Sequence, residues 1–165
     1  MIRLVFDCLR SPYDYANILQ VALATNQCEI HITGNSLRHD HPKVIGKVRS
    51  WSSAMRKGNL PNPSIYYYPS FNECVAKLKE KGIRLIGTSP HSKNSLYTLD
   101  LSGDNYAIVF GTETSGLNNH KAALIDEMVK IPMSEAIDFM TLSVCVPIVA
   151  YEILRQQNNM AISAQ

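Results

Sequence analysis

The segment Gly111-Thr-Glu-Thr-Ser-Gly116 sets one carboxylate between two glycines. Glycine lets a backbone turn sharply and come close to a ligand, so the segment can be a ligand-binding turn. A second small, polar turn runs from Ser134 to Asp138. Each turn follows a short apolar run, Ala107-Ile-Val-Phe110 and Val129-Lys-Ile-Pro-Met133, of the length and flanks expected for buried parallel strands. Ligands in open α/β sheets bind just beyond the carboxyl ends of such strands, so both turns stand where a small molecule is expected. Taken alone, the Gly111 to Gly116 pattern also suits a plain strand exit. It lacks the Gly-x-Gly-x-x-Gly spacing of a dinucleotide site and the Gly-Lys-Ser/Thr of a phosphate loop, which disfavours both.

Other chemistry-bearing residues are weaker signals. His39-x-His41 has no cysteine or carboxylate cluster to complete a ligand set, so no metal is expected. Lys43, Lys47, Arg49, Arg56 and Lys57 form a basic run that suits RNA contact and, equally, a solvated helix face. Tyr66 to Tyr68 read as strand packing more than base stacking. His31 sits on an alternating stretch and is expected at the surface or half-buried. Pro147 falls in a helical stretch, where it removes a donor and crowds the Ser143 carbonyl, and is expected to kink a packing helix.

These residues must be held by a framework of modest size. The chain has 165 residues, is 45% hydrophobic and carries a net charge of +2. One domain over residues 1–165 is expected, with no internal repeat, low-complexity tract or linker. No apolar run approaches the roughly 20 residues of a membrane span, and Met1-Ile-Arg-Leu-Val-Phe6 lacks a signal-peptide layout. Cys8, Cys28, Cys74 and Cys145 have no CxxC spacing and read as reduced packing residues of a cytoplasmic protein. With so small a net charge, nucleic-acid binding must come from a local patch.

Ile2 to Phe6 reads as a strand. Ser11 and Pro12 offer the N-cap and first position of a helix with Ile18, Leu19, Ala22 and Leu23 on its apolar face. Cys28 to Thr33 is a second strand, and Val44 to Met55 a helix broken by Pro61-Asn-Pro63. Ile65 to Tyr68 is a third strand. Ser70-Phe-Asn-Glu73 is a capping box opening a helix that reaches Lys81 and stops at Gly82. Ile83 to Ile86 is the fourth strand. The runs ending at Phe110 and Met133 are the fifth and sixth, separated by a helix near Asn119 to Asp126, and an amphipathic stretch follows. Strand and helix alternate, which predicts an α/β fold with a mainly parallel sheet and helices on both faces.

The segments IVFGTETSGL and VKIPM…IDFMTLSVCVPIVAYEILRQ closely resemble motifs two and three of the SpoU/TrmH family of SPOUT methyltransferases, and SPYDYANILQVALA resembles motif one. Together they span nearly the whole chain in the family's order and spacing. The resemblance implies that the C-terminal part is threaded as a deep trefoil knot, against the general rule that chains avoid knots, with knot and cofactor site within about residues 84–158. It implies a homodimer whose site both subunits complete. It also implies methyl transfer from S-adenosyl-L-methionine, typically to a ribose 2′-hydroxyl of tRNA or rRNA, with no metal and no membrane. By analogy the cofactor lies against Gly87, Thr88, Ser89, Phe110, Gly111, Glu113, Ile131, Pro132, Met133, Phe139 and Met140.

Three polar positions of the family's usual site are changed, and Ala16 stands where motif one has glycine. Motif one usually runs Pro-x-Asn-x-Gly-x-x-x-Arg, with the arginine acting at the target hydroxyl; here the matching residues are Pro12, Asp14, Ala16 and Gln20. Motif three usually carries an asparagine where this chain has Thr141. Gln20 bears no positive charge and is no useful base. Asp14, desolvated by bound RNA, can take the role of base, and Arg10 can return a guanidinium from upstream. Glu113 matches the motif-two acid and is expected to position partner groups, while Asn17 and Thr141 are expected to orient the ribose. The resemblance therefore fits an RNA 2′-O-methyltransferase with altered catalytic residues, tRNA ranking ahead of rRNA as its substrate. It also fits a catalytically silent cofactor- and RNA-binding scaffold, and more weakly an enzyme acting on a base or a non-RNA substrate.

Overall fold

The computed structural model describes residues 1–51 and 64–157. Its strands are β1 (Ile2–Asp7), β2 (Cys28–Thr33), β3 (Ser64–Tyr68), β4 (Arg84–Thr88), β5 (Tyr106–Phe110) and β6 (Glu127–Val129). Its helices are α1 (Pro12–Thr25), α2 (Pro42–Trp51), α3 (Phe71–Glu80), the single turn α4 (Asn119–Ala122) and α5 (Leu142–Gln156). The strands form one six-stranded sheet in the order β3-β2-β1-β5-β4-β6, and every pair is parallel. The chain builds outward from β1 to β3, then crosses over to fill the other side.

Helices cover both faces because successive strand residues point to opposite sides. Leu4, Phe6, Ile30, Ile108 and Phe110 pack with Ile18 and Ala22 of α1, Val44 and Val48 of α2, and Val149 and Ile153 of α5. Phe6 and Phe110, paired in register, stack with centroids 5.2 Å apart. On the other side Val5, Leu85, Ala107 and Val109 meet Phe71, Cys74, Val75 and Leu78 of α3. The helix starts follow the sequence signals. Ser11 Oγ accepts from the Asp14 amide at 3.1 Å, and Ser70 Oγ accepts from the Glu73 amide at 3.3 Å. Each such cap contributes about 1 kcal/mol.

Three expectations are corrected. The sixth strand is Glu127–Val129 and stops where the run from Val129 to Met133 begins. Beyond it, Lys130 exchanges backbone hydrogen bonds with the loop after β4, its amide donating to Asn94 O and its carbonyl accepting from Leu96 N, both at 2.8 Å. The helix expected from Asn119 to Asp126 is one turn, because Asp126 is drawn to the sheet: its carboxylate accepts from Leu85 N at 2.8 Å and its amide donates to Leu85 O at 3.0 Å. His31 is buried, with 4% of its surface exposed. Its ring stacks on Tyr66 and Tyr68, and Nδ1 lies 3.0 Å from the Tyr68 hydroxyl. β2 lies between two strands and is covered on both faces, so its polar alternation does not mark a wet side.

Met55, Arg56, Lys57, Pro61 and Pro63 fall outside the described residues. All four cysteines are free, Cys28 and Cys74 buried, Cys8 and Cys145 half-buried. Among the described residues no helix is long and apolar enough to cross a membrane.

Candidate active site

The loops leaving β4, β5 and β6 close around a cleft of about 360 Å³, together with the start of α5. That volume lies within the range of small-molecule sites. The turn after β5 is tight by construction. Thr112 and Gly116 exchange backbone hydrogen bonds at 3.0 Å each, and Thr112 Oγ1 stands 2.8 Å from Ser115 Oγ. A side chain on Gly111 would put its Cβ 2.0 Å from the Gly116 carbonyl carbon, so only glycine closes this turn.

Glu113 projects from that turn toward the loop before α1. Its Oε1 accepts from Ser11 N at 2.8 Å and from Arg10 N at 3.1 Å. One carboxylate thereby fastens the glycine turn to the segment that follows β1. A second tie reaches α5. Thr141 is its N-cap but makes no side-chain capping bond. Asp14 of α1 supplies the acceptor instead, Oδ1 taking the Ser143 amide at 3.2 Å. Thr141 Oγ1 lies 2.9 Å from Ser143 Oγ, and the Cys145 thiol donates to Met140 O at 3.4 Å. Burial pushes the Cys145 thiol above its ordinary value.

The structure gathers Thr88, Ser89, Phe110, Gly111, Glu113, Ile131, Met133, Phe139, Met140 and Thr141 onto the cleft wall. Gly87 and Pro132 are not on it. Gly87 is buried in β4, where a Cβ would come within 2.5 Å of Met128 Sδ and 3.1 Å of both Ile125 and Leu117; its glycine serves packing under the cleft. Pro132 is exposed. The motif-one residues Arg10, Asp14, Asn17 and Gln20 do not line the cleft. Arg10 is exposed, with its backbone held by Glu113. Asn17 Nδ2 donates to Tyr13 O at 3.0 Å within α1. Gln20 is exposed on α1, about two turns beyond Pro12.

The sequence reading missed His91, Asp138, Leu142 and Cys145, all on the wall. Asp138 ends a turn already singled out, and Cys145 lies one helical turn from Thr141, which puts both on one face. The charge of the lining is one-sided. Glu113 and Asp138 line the cleft, and among the described residues no lysine or arginine does. Such a site favours a cationic ligand.

The model of a family described as the SpoU rRNA Methylase family matches residues 1–151. The chain belongs to the SpoU rRNA methylase family. An uncharacterized tRNA/rRNA methyltransferase from Synechocystis sp. is 29% identical to this SpoU chain over 154 residues, which are 93% of the chain and 53% of the relative. The 23S rRNA (guanosine-2′-O-)-methyltransferase RlmB of Xanthomonas axonopodis pv. citri is 26% identical over 154 residues, 93% of the chain and 58% of the relative. The chain thus spans a little over half the length of these two proteins. Among solved structures, the SpoU methyltransferase AviRb from Streptomyces viridochromogenes, in complex with the cofactor AdoMet, aligns with a TM-score of 0.80 at 24% identity, covering 96% of this chain and 61% of that one. A structure concerned with 2-OH methylation on tRNA aligns with a TM-score of 0.79 at 24% identity, over 96% of this chain and 97% of that one. These likenesses establish the α/β fold with its parallel sheet as that of SpoU methyltransferases.

Proposed function

We propose that this SpoU chain is an S-adenosyl-L-methionine-dependent RNA methyltransferase that acts on a ribose 2′-hydroxyl, with tRNA ahead of rRNA as substrate. The observation that carries the reading is the cleft itself. The loops of motifs two and three meet there with the loop after β4, and the carboxylates Glu113 and Asp138 on its wall suit a ligand bearing a sulfonium and an ammonium. Phe110, Ile131, Met133 and Leu142 offer apolar packing to a flat base, and Thr88 and Ser89 offer hydroxyls. Bound in this cleft, S-adenosyl-L-methionine supplies an electrophilic methyl group.

The chain's own part is positioning and proton handling. Glu113 fixes the Arg10–Ser11 backbone against the cleft, so a ribose presented by that loop is held at a set place, and such orientation supplies much of a transfer rate. Arg10 offers a guanidinium at the same loop, and Thr141 a hydroxyl on the wall. Asp14 has one carboxylate oxygen occupied by the Ser143 amide of α5, and its second oxygen is the base of this reading.

The same reading includes a C-terminal trefoil knot and a homodimer, in one domain working in the cytoplasm. The knot is supported by the loop after β4, which bonds both to the exit of β6 and to the end of α5, where Leu101 N donates to Gln156 Oε1 at 2.7 Å. The homodimer is supported by exposed apolar side chains on the loop before α5 and on α5 itself: Ile137 at 51%, Phe139 at 64%, Val144 at 45% and Tyr151 at 45%. Free thiols at all four cysteines support the compartment.

The deciding experiment offers labelled S-adenosyl-L-methionine with unmodified tRNA and, separately, rRNA, and follows the product by alkaline hydrolysis. Label in an alkali-resistant dinucleotide is the expected result, since a 2′-O-methyl blocks cleavage there. Label in a mononucleotide would mean base methylation. Cofactor binding without transfer to either RNA would leave a silent scaffold.

A further inference from the structure

Helix α2 carries Lys43, Lys47 and Trp51 at intervals of four residues, which sets them in one stripe. All three are exposed, Trp51 at 41%, while Val44 and Val48 beside them are buried in the core. α2 packs on α1, and there Lys47 Nζ lies 5.1 Å from the centroid of the Tyr13 ring. Tyr13 is itself 54% exposed. α2 contains no acidic residue, and among the described residues no carboxylate pairs with Lys43, Lys47 or Arg49. The surface thus alternates aromatic faces with cations that no described carboxylate pairs. It matches what a single strand of nucleic acid presents, bases to stack and phosphates to neutralise. The position is equally specific. Tyr13 lies two residues after Ser11, whose amide is held by Glu113 on the cleft wall, and Asn17 fixes the Tyr13 carbonyl.

We infer that Tyr13, Lys43, Lys47 and Trp51 form the docking platform for a single-stranded RNA segment whose adjoining nucleotide enters the cleft. This deepens the RNA-methyltransferase reading and rests on it. A base stacks on Tyr13, Lys43 and Lys47 hold phosphates along α2, and Trp51, one turn beyond Lys47, receives a further base. Unpaired loop nucleotides are the RNA elements whose bases are free to do this.

Trp51 is the only tryptophan in the chain, so its fluorescence reports on the platform directly. The protein is titrated with an oligoribonucleotide of about 12 nucleotides at several salt concentrations. The expected result is quenching of Trp51. Tyr13→Ala weakens binding about tenfold, Tyr13→Phe restores it, and Lys47→Gln lowers the log–log salt slope by about 0.7. Calorimetry shows S-adenosyl-L-methionine affinity unchanged in each variant, which also certifies the fold. Methyl transfer to tRNA with Trp51 unquenched and the Lys47→Gln salt slope unchanged would overturn the platform and leave the enzyme reading standing. Quenching without transfer would keep the platform and sink the enzyme reading. Equal affinity for polyaspartate would also overturn it, marking a general polyanion or acidic-protein surface.

Discussion

Asp14 of α1 and Ser143 of α5 are 129 residues apart in the chain and joined by one hydrogen bond, Oδ1 accepting from the backbone amide at 3.2 Å. The bond completes a helix cap that Thr141 leaves unmade. A residue suited by type to proton transfer therefore also has a mechanical task, holding the start of α5 where Met140 and Thr141 meet the cleft.

The two tasks separate by substitution. Asp14→Asn keeps an acceptor for Ser143 and should leave stability within about 0.5 kcal/mol, whereas Asp14→Ala should cost about 1 kcal/mol, read from urea unfolding. If capping is the main task, Asn also retains most of the methyl-transfer rate. A drop of about a hundredfold or more in the Asn variant would instead make Asp14 the base.

Gly111→Ala is the smallest change that tests the glycine turn. Its Cβ meets the backbone of Gly116 and Leu117 at 2.0 to 2.5 Å, and no side-chain motion relieves that. S-adenosyl-L-methionine binding should be lost in calorimetry, with a stability cost of about 1–3 kcal/mol. Wild-type affinity in this variant would place the cofactor elsewhere.

His31 should give the protein a recognisable acid sensitivity. Burial, with Arg3 and Lys81 adding repulsion, pushes its imidazole down to about 4. The unfolded chain, near the ordinary value of about 6.5, then binds more protons across that interval. Stability is complete above pH 6.5 and falls as the pH drops toward 4, by on the order of 3 kcal/mol. Urea midpoints measured against pH should fall more steeply for wild type than for His31→Phe. Parallel curves would show that His31 is not the group responsible.

Lys121 neutralises Asp7 at the end of β1, Nζ to Oδ2 at 2.5 Å, with the Asp7 side chain 1% exposed. Thr33 Oγ1 donates to the other oxygen at 3.1 Å. Lys121→Met strands a buried carboxylate and should cost about 3–5 kcal/mol in chemical denaturation. Adding Asp7→Asn should recover much of it, and a strictly additive double mutant would contradict the pairing.

Much of this molecule could be read from local pattern. The Ser11–Pro12 start of α1 and the Ser70–Glu73 capping box are short-range chemistry, and both stand as read. So do the alternation that makes the sheet parallel and the turn after Phe110 that forms the cleft wall. What stayed hidden depends on partners distant in sequence. Asp126 ends α4 early because Leu85 offers it two backbone bonds. His31 is buried because strands on both sides enclose β2. Gly87 carries a packing demand that its local sequence does not announce, since the atoms that would meet its Cβ arrive from Leu117, Ile125 and Met128.

The position of β1 between β2 and β5 has a consequence for how the protein is made. β2 follows β1 closely, but more than seventy residues separate Thr33 from Tyr106, where β5 begins. At a synthesis rate of about 5–20 residues per second, one edge of this central strand waits on the order of ten seconds for its neighbour. During that wait the nascent chain presents Leu4, Val5 and Phe6 as an open apolar template to any extended chain nearby. Chaperone supply and translation speed should therefore govern its soluble yield more than the stability of the finished protein does.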